Sequence, residues 1–90
     1  MFEITKTTQF KKDFKLICKR NYELSKLEIV LKLLISGKPL PEKYKEHPLK
    51  NVRGNLIDCH ITSDWILLFK RDIHEKLITL IRTGTHSDIF

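Results

Sequence analysis

Apolar residues in the first forty positions recur every three or four residues, which is the spacing of helices with one buried face. Thr7 or Thr8 can cap the first of these helices. Residues 21–25 separate it from a second helix, which ends at Gly37 with Pro39 just beyond. The predicted buried faces consist of Phe10, Phe14, Ile17 and Cys18 in the first helix and Leu24, Leu27, Leu31, Leu34 and Ile35 in the second.

Strand patterns occupy the start and the last third of the chain. Residues 2–6 can form a short first strand, and residues 55–62 alternate between apolar and polar side chains. Residues 65–69 and 77–81 are apolar at every position or nearly so, which is typical of strands covered on both faces. We place the second of these runs at the centre of the sheet. Residues 38–55 contain all three prolines and are predicted to form a long loop.

The predicted element order is β-α-α-β-β-β. A helical hairpin between strands of one sheet must bury its apolar face on that sheet, so the order indicates an α+β domain with the helices on one face. The sequence shows no internal repeat and no linker-like segment. With 90 residues the chain can bury one modest hydrophobic core, and we therefore expect a single domain over residues 1–90.

Positive charge dominates the sequence, with 17 Lys and Arg against 11 Asp and Glu and a formal net charge of +6. This balance favours an anionic partner: nucleic acid, an anionic membrane surface or an acidic protein. Lys11, Lys15 and Lys19 form a basic stripe along the first helix. Because the sequence shows neither a secretion signal nor a transmembrane run, we expect a cytoplasmic protein with no membrane partner. Cys18 and Cys59 are predicted to be reduced, half-buried packing residues.

The residues suited to acid–base chemistry map to one side of the predicted sheet: Asp58 and His60 on one strand, Asp64 in the next turn, Arg82 and His86 after the central strand, and His47 on the long loop. Residues two apart on a strand share a face, so Asp58 and His60 both point away from the core. We expect the whole set to converge above the open face of the sheet. The fourth histidine, His74, falls in a polar turn and is predicted to be an ordinary surface residue.

Metal and cofactor chemistry fits the sequence poorly. Cys59 and His60 are neighbours on a strand, so their side chains point to opposite faces and cannot bind one ion together. The sequence has no CxxC or HxxxH spacing, and Gly54 and Gly84 are isolated rather than part of a phosphate-binding loop. We therefore expect neither a metal nor a small-molecule cofactor.

Acid–base groups beside positive charge suit the cleavage of RNA by its own ribose 2′-hydroxyl. One histidine can accept the 2′-hydroxyl proton, and another can donate a proton to the 5′-oxygen that leaves. A guanidinium can stabilise the charge that builds on the phosphate oxygens. An aromatic side chain can hold an unstacked base. The residue set therefore favours a metal-free ribonuclease.

Two blocks of the sequence resemble a known family. Residues 55–70, NLIDCHITSDWILLFK, contain the pattern C-H-I-x-x-D-W, and residues 80–90, LIRTGTHSDIF, match R-T-G-[ST]-H-S-[DE]-[LI]-F. With the chain length, the helical hairpin and the His-Pro-Leu at residues 47–49, these blocks resemble the YafQ-like branch of the RelE/ParE toxin superfamily. The resemblance implies a RelE/ParE-like fold: a small, mostly antiparallel sheet with a two-helix hairpin packed on one face.

The resemblance also implies a function. Members of this branch are mRNA interferases, the toxins of bacterial toxin–antitoxin pairs, which cut mRNA without a metal, typically in the ribosomal A site, and are neutralised by a cognate antitoxin. The family's working residues match this sequence at His47, His60, Asp64, Arg82, His86 and Phe90. The sequence departs from the family at Asp58, where relatives commonly carry glutamate, and at Ser63, where they often carry proline.

The acid–base roles implied by the resemblance are only partly determined. We assign His86 as the general acid, on a mobile tail where it can approach the leaving oxygen. The general base is His60 or His47, and the residues leave this choice open. They also leave open whether Asp64 or Asp58 orients the base.

The remaining roles concern the phosphate and the bases of the RNA. Arg82 is assigned to stabilise charge on the scissile phosphate. Phe90 is expected to contact a base, and Asp58 and Arg53 are further candidates for substrate binding. Trp65 is predicted to belong to the core, although a contact with a base is an alternative.

Three other functions remain open. A ParE-type relative would inhibit DNA gyrase, a non-catalytic module would bind nucleic acid by charge alone, and a structural protein would bind an acidic partner. The histidine set favours the ribonuclease because ParE-type relatives lack it, and simple binding gives no reason for histidines and Arg82 to converge. For the antitoxin we expect an acidic or mixed-charge segment on the basic helices, with apolar anchors at Ile29 and Leu33.

Overall fold

The computed structural model describes residues 1–49 and 55–90, in which a helical hairpin follows the first strand and the remaining strands follow the hairpin. The elements are β1 (Glu3–Lys6), α1 (Thr8–Lys19), α2 (Leu24–Ser36), a 3₁₀ turn (Glu42–Tyr44), β2 (His47–Pro48), β3 (Ile57–Thr62), β4 (Trp65–Asp72), β5 (Leu77–Gly84) and α3 (His86–Ile89). The predicted α+β class is confirmed. The predicted order holds as well, with β2 and α3 as additional short elements.

The strands form one five-stranded sheet in the order β1-β5-β4-β3-β2. β1 runs parallel to β5, and the other neighbouring pairs are antiparallel, which confirms the expected mostly antiparallel sheet. β4 is the central strand, and residues 65–69 are buried on both faces, as their continuous apolar run predicts. β5 is interior but not central, so the predicted central position of residues 77–81 is wrong. Within that run only Ile78 and Leu80 are fully buried, because only their face packs into the core.

α1 is joined to the sheet at its first turn. Thr7 Oγ1 accepts a hydrogen bond from the Phe10 backbone N–H (3.0 Å) and donates one to the carbonyl oxygen of Ile81 (2.8 Å). The predicted N-cap is thus confirmed. Ile17 is buried at the centre of the inner face, whereas Cys18 is exposed. Cys18 lies one residue further on, which rotates it by about 100° away from the core, so its predicted half-burial is wrong.

The buried face of α2 is centred on Val30, which lies with Leu27 and Leu34 in the core. Three predicted core positions are less buried than expected, because they flank this centre: Leu24, Leu31 and Ile35. The helix ends at Gly37, which adopts the left-handed conformation (φ 77°) that its position after the last turn predicts. Among the helices of the described residues, none combines the length and apolarity needed to cross a membrane.

The predicted long loop between α2 and β3 contains ordered structure. Tyr44, in the 3₁₀ turn, is buried in the core. β2 then pairs with β3 so that His47 lies opposite Asp58. Arg71 on β4 donates two hydrogen bonds of 3.1 Å to the Glu46 carboxylate, which holds this segment on the sheet. A strand of two residues forms only because it pairs with β3, so no local pattern in the sequence could predict β2.

Candidate active site

Strand register places the candidate residues in adjacent rows on the face of the sheet opposite to the helices, which we call the far face. Asp58 on β3 lies opposite Leu68 on β4, and Leu68 lies opposite Arg82 on β5. His60, two residues from Asp58, lies opposite Ile66. Directly opposed residues in antiparallel strands point to the same face. The register therefore brings Asp58, His60 and Arg82 to the far face together.

His47 lies against a buried carboxylate. Its Nδ1 is 3.0 Å from Asp58 Oδ1 and 3.0 Å from the carbonyl oxygen of Lys45. Both oxygens can accept a hydrogen bond, so an imidazole with its proton on Nδ1 can donate to either of them and leaves the Nε2 lone pair free to accept a proton. Only the contact with the Lys45 carbonyl has the geometry of a hydrogen bond. Asp58 Oδ1 therefore has no hydrogen-bond donor among the described residues, although Nδ1 lies close to it.

The burial of Asp58 differs from the expectation of a solvent-facing side of β3. Its side chain is 4% exposed, whereas that of His47 is 54% exposed. The short strand β2 pairs alongside β3, and the ring of its His47 lies against the carboxylate. Asp58 is therefore placed to act on His47 rather than to meet a ligand from solvent.

Two histidines and a phenylalanine meet near one end of the far face. The ring centroids of His60 and His86 are 6.2 Å apart, and those of His86 and Phe90 are 5.3 Å apart. Phe90 is 61% exposed, His86 is exposed and His60 is half-buried. The group is thus accessible to a large ligand such as a nucleic acid strand.

α3, which carries His86, forms a helical turn held by hydrogen bonds, where the sequence indicated a mobile tail. Thr85 Oγ1 accepts a hydrogen bond from the Asp88 backbone N–H (3.2 Å), and Asp88 Oδ2 accepts one from the Thr85 N–H (2.9 Å). Arg20, at the end of α1, donates two hydrogen bonds to the Asp88 carboxylate at 2.7 and 3.3 Å. The hydrogen bond from Arg20, followed by that from the Thr85 N–H, holds the pKa of Asp88 well below its usual range.

Arg82 forms a bidentate pair with Asp13 on α1. Its Nε and Nη2 donate to Oδ2 and Oδ1 of Asp13 at 3.0 Å each, and the Thr83 backbone N–H donates to Oδ2 at 3.2 Å. Burial raises the pKa of Asp13, but these hydrogen bonds and one from Gln9 outweigh burial and leave the pKa below its ordinary value. A guanidinium has five N–H donors, so three remain for a ligand.

Asp13→Asn is expected to lower the free energy of unfolding by about 2 kcal/mol. The amide cannot accept all of these hydrogen bonds, and its NH₂ group would face the Arg82 guanidinium. Urea denaturation at pH 7 measures the change. Glu28→Gln is the matched control, because it neutralises an exposed helical carboxylate paired with Lys32, and it should change the free energy of unfolding by less than about 0.5 kcal/mol.

The pH dependence of this effect has a definite sign. Because the pKa of Asp13 is lowered in the folded state, its stabilisation is present above the unfolded pKa and is lost as pH falls through the folded pKa. The difference in stability between the natural chain and Asp13→Asn should therefore shrink below about pH 4. A difference that stays constant from pH 7 to pH 3 would contradict the bidentate pair.

Sequence reasoning missed two charged residues that support this region, Asp13 and Arg20. Asp13 lies three residues after Phe10 and four before Ile17, so a carboxylate occupies the apolar face of α1. Arg20, three residues after Ile17, continues that face. Charged residues are seldom buried unless they are paired, so this spacing could have predicted a buried ion pair. The spacing could not have predicted that Arg82 and Asp88 are the partners of these two residues.

Asp64, Trp65 and His74 lie in three different settings. Asp64 is exposed in the turn between β3 and β4 and lines a groove beside the start of α2 that none of the histidines lines. Trp65 belongs to the core, as predicted, and its Nε1 donates a hydrogen bond to Thr83 Oγ1 at 2.8 Å. His74 is exposed in the turn after β4, as expected. Arg53 lies outside the described residues.

Metal ligands are sparse in the part of the chain that the structure describes. Within residues 1–49 and 55–90, no group of three or more His, Cys, Asp or Glu side chains is arranged to hold a metal ion. Cys59 is fully buried rather than half-buried as predicted, and burial, followed by the charges of Glu46 and Asp58, raises the pKa of its thiol to about 12. The thiol is therefore protonated at neutral pH and faces away from His60.

Comparison with known proteins identifies relatives over the full length of the chain. The family model described as the bacterial toxin of a type II toxin–antitoxin system, YafQ, matches residues 2–90. The mRNA interferase toxin YafQ of Escherichia coli (strain B / BL21-DE3) is 42% identical over 89 residues, which cover 98% of this chain and 95% of that protein. The corresponding toxin of strain K12 is 40% identical over 89 residues, with the same coverage.

Solved structures agree with these relatives. A metal-bound toxin from Helicobacter pylori is 34% identical, with a TM-score of 0.93 and 100% of each chain covered. The toxin in the E. coli DinJ–YafQ complex is 41% identical, with a TM-score of 0.91 and coverage of 100% of this chain and 99% of that chain. The fold, the two sequence blocks and the relatives thus agree, and the chain belongs to the YafQ family of bacterial toxins of type II toxin–antitoxin systems.

Proposed function

We propose that this chain is the toxin of a type II toxin–antitoxin pair and cleaves mRNA as an endoribonuclease, with residues 1–90 acting as one toxin domain in the cytoplasm. The observation that carries the proposal is the cluster of histidines on the far face, where the rings of His60 and His86 lie 6.2 Å apart beside exposed Phe90. The mRNA interferases of E. coli, 40–42% identical over nearly the whole chain, support the same activity.

The proposed reaction is an attack of the ribose 2′-oxygen on the adjacent phosphorus. The new bond joins the 2′-oxygen to phosphorus, and the bond from phosphorus to the 5′-oxygen breaks. A base takes the 2′-hydroxyl proton and an acid gives a proton to the 5′-oxygen, so the products are a 2′,3′-cyclic phosphate and a 5′-hydroxyl. His86 is the acid in this scheme, and its exposure beside Phe90 supports a direct approach to the leaving oxygen.

His47 is the better supported of the two candidate bases. Its Nδ1 faces two acceptors, Asp58 and the Lys45 carbonyl, so Nε2 holds a lone pair that can accept a proton. The Asp58 carboxylate, 3.0 Å from Nδ1, can hold the ring in this orientation. His60 then acts beside His86, where it can influence the orientation and charge of the acid. The orienting role proposed for Asp64 has no comparable supporting contact among the described residues.

Arg82 and Phe90 complete the proposed substrate site. Two N–H donors of Arg82 bind Asp13, which orients the guanidinium and leaves three donors for the phosphate oxygens. Charge on these oxygens grows in the transition state, so donors fixed in advance stabilise that state selectively. The exposed ring of Phe90 can stack on an unpaired base.

The proposed partners are mRNA in the ribosomal A site and a cognate antitoxin. The DinJ–YafQ complex of E. coli supports a protein antitoxin for this chain. Lys11 and Lys15 border an apolar groove between α1 and α2, which supports an acidic segment with apolar side chains as the occupant. Of the two expected anchor positions, Ile29 is 51% exposed, whereas Leu33 packs against the core and is less available.

Mapping the ends of cleaved RNA tests the reaction. The purified toxin, mixed with a defined mRNA with and without ribosomes, is expected to produce 2′,3′-cyclic phosphate and 5′-hydroxyl ends. Cleavage should persist in EDTA, because histidines supply both proton transfers. The measurement in EDTA tests directly whether cleavage needs a metal, because one similar toxin, that from H. pylori, is metal-bound.

The other outcomes distinguish the alternatives. Products with 3′-hydroxyl ends, or loss of cleavage in EDTA, would contradict the proposed chemistry. RNA binding that weakens with salt but is not followed by cleavage would favour the non-catalytic module. Inhibition of gyrase in a plasmid supercoiling assay would favour the ParE-type alternative.

A further inference from the structure

We propose that Arg20 is a positioning residue for RNA cleavage: the Arg20–Asp88 pair fixes α3, and through α3 it places His86 and Phe90 against the far face. The inference rests on the proposed function, although the contacts that suggest it do not. Arg20 lies just beyond α1, and its two nitrogens donate to both Asp88 oxygens at 2.7 and 3.3 Å. Arg20 is thereby assigned a role through Asp88, which the double variant with His86→Ala separates from a direct contact with RNA.

α3 depends on contacts from the rest of the chain. It spans only His86–Ile89, and a helix of one turn has no stability of its own. Its internal bonds are the reciprocal cap and three backbone hydrogen bonds: the amides of Asp88 (3.1 Å) and Ile89 (3.2 Å) donate to the Thr85 carbonyl, and that of Phe90 donates to the His86 carbonyl (2.8 Å). These bonds shape the turn but do not orient it on the sheet. A bidentate arginine–carboxylate pair constrains both distance and direction, so it can supply that orientation.

Gly84 supports the same assignment from the other end of the turn. A Cβ at this position would lie 2.9 Å from Asp88 Oδ2 and 3.1 Å from Asp88 Cβ, and the backbone has φ 152°. Glycine thus allows the Asp88 side chain to fold back closely onto the end of β5. Arg20 binds the carboxylate in that position.

One face of α1 reaches both parts of the proposed site. Asp13 and Arg20 are seven residues apart, which is about two helical turns and returns to the same side of the helix. Asp13 binds Arg82, and Arg20 binds Asp88. Because one rigid helix makes both contacts, it sets the distance between the phosphate-binding guanidinium and the proposed acid, His86.

The main test is Arg20→Gln in single-turnover cleavage of a defined mRNA. We expect the maximal rate to fall about tenfold, because a small displacement of a catalytic group costs rate rather than binding. The toxin concentration for half-maximal rate should change less than about twofold. Arg20→Lys keeps the charge with one ammonium group and should recover part of the loss. Lys32→Gln, in the exposed Glu28–Lys32 pair, is the control and should keep the natural rate.

A double variant tests whether Arg20 acts through α3. In the His86→Ala background, Arg20→Gln should lower the remaining maximal rate less than about twofold, because the acid that it positions is already gone and Phe90 contributes to RNA binding rather than to the maximal rate. A further tenfold loss would mean that Arg20 acts elsewhere, and it would overturn the inference. A natural cleavage rate in Arg20→Gln alone would overturn it as well.

Hydrogen exchange at α3 provides a readout that needs no RNA. The amides of Ile89 and Phe90 should exchange several-fold faster in Arg20→Gln than in the natural chain, while those of β4 stay unchanged. If the purified protein cleaves no RNA, the proposed function fails, and the exchange rates still test the role of the pair. Unchanged exchange at α3 would reject that role.

Discussion

His86→Ala is expected to lower the rate of RNA cleavage by about 10²-fold or more, the usual contribution of a general acid. Without the imidazole, the 5′-oxygen must leave as an unprotonated alkoxide. The fold should remain intact, because His86 is exposed and its ring neighbours are His60 and Phe90. Single-turnover cleavage of a defined mRNA, with thermal unfolding monitored on the same preparation, measures both effects.

His74→Ala is the matched control for this variant. It removes an exposed histidine from the turn after β4 and should cleave RNA at the natural rate. Cleavage by His86→Ala at the natural rate would remove this residue from the mechanism.

Arg82→Gln is expected to reduce the maximal cleavage rate by about 10²- to 10³-fold, comparable with the removal of an oxyanion-stabilising donor elsewhere. The donors that Asp13 leaves unused are the ones proposed to bind the scissile phosphate. Their loss affects the transition state more than the bound RNA, so the maximal rate should fall more than the affinity. Single-turnover rates over a range of toxin concentrations separate these two quantities.

Arg82→Lys keeps this prediction testable if Arg82→Gln folds poorly, since Gln leaves the Asp13 carboxylate buried without its partner. Lysine preserves the charge beside Asp13 but offers a single ammonium instead of a planar set of donors. We expect Arg82→Lys to fold and to lose more than about tenfold in rate. Lys32→Gln serves as the control for the loss of one positive charge. If Arg82→Lys cleaves RNA at the natural rate, positive charge alone is enough at this position and the proposed role of the guanidinium donors is wrong.

The sequence predicted the main elements because their signals are local. The uninterrupted apolar run at residues 65–69 indicated a strand buried on both faces, and it became the central strand β4. Thr7 and Gly37 marked the start of α1 and the end of α2 through their capping chemistry. The spacing of Asp58 and His60 placed both residues on one face of β3, as the register shows.

The features that the sequence did not reveal depend on partners far along the chain. Asp13 meets Arg82 across 69 residues, and Arg20 meets Asp88 across 68, so no local pattern connects them. The second of these pairs joins α1 to the hydrogen-bonded turn α3, where the sequence indicated a mobile tail. The burial of Asp58 likewise required the pairing of β2 with β3.

The Arg82–Asp13 contact also bears on how the chain folds. It joins α1 to β5, near the two ends of the described chain, and closing so long a loop costs more conformational entropy than closing a local turn. Small proteins rich in contacts of this range fold more slowly than those with mainly local contacts. Arg82 therefore acquires its orientation only when the sheet is assembled, so the growth of ribonuclease activity during refolding should follow the final folding step rather than helix formation.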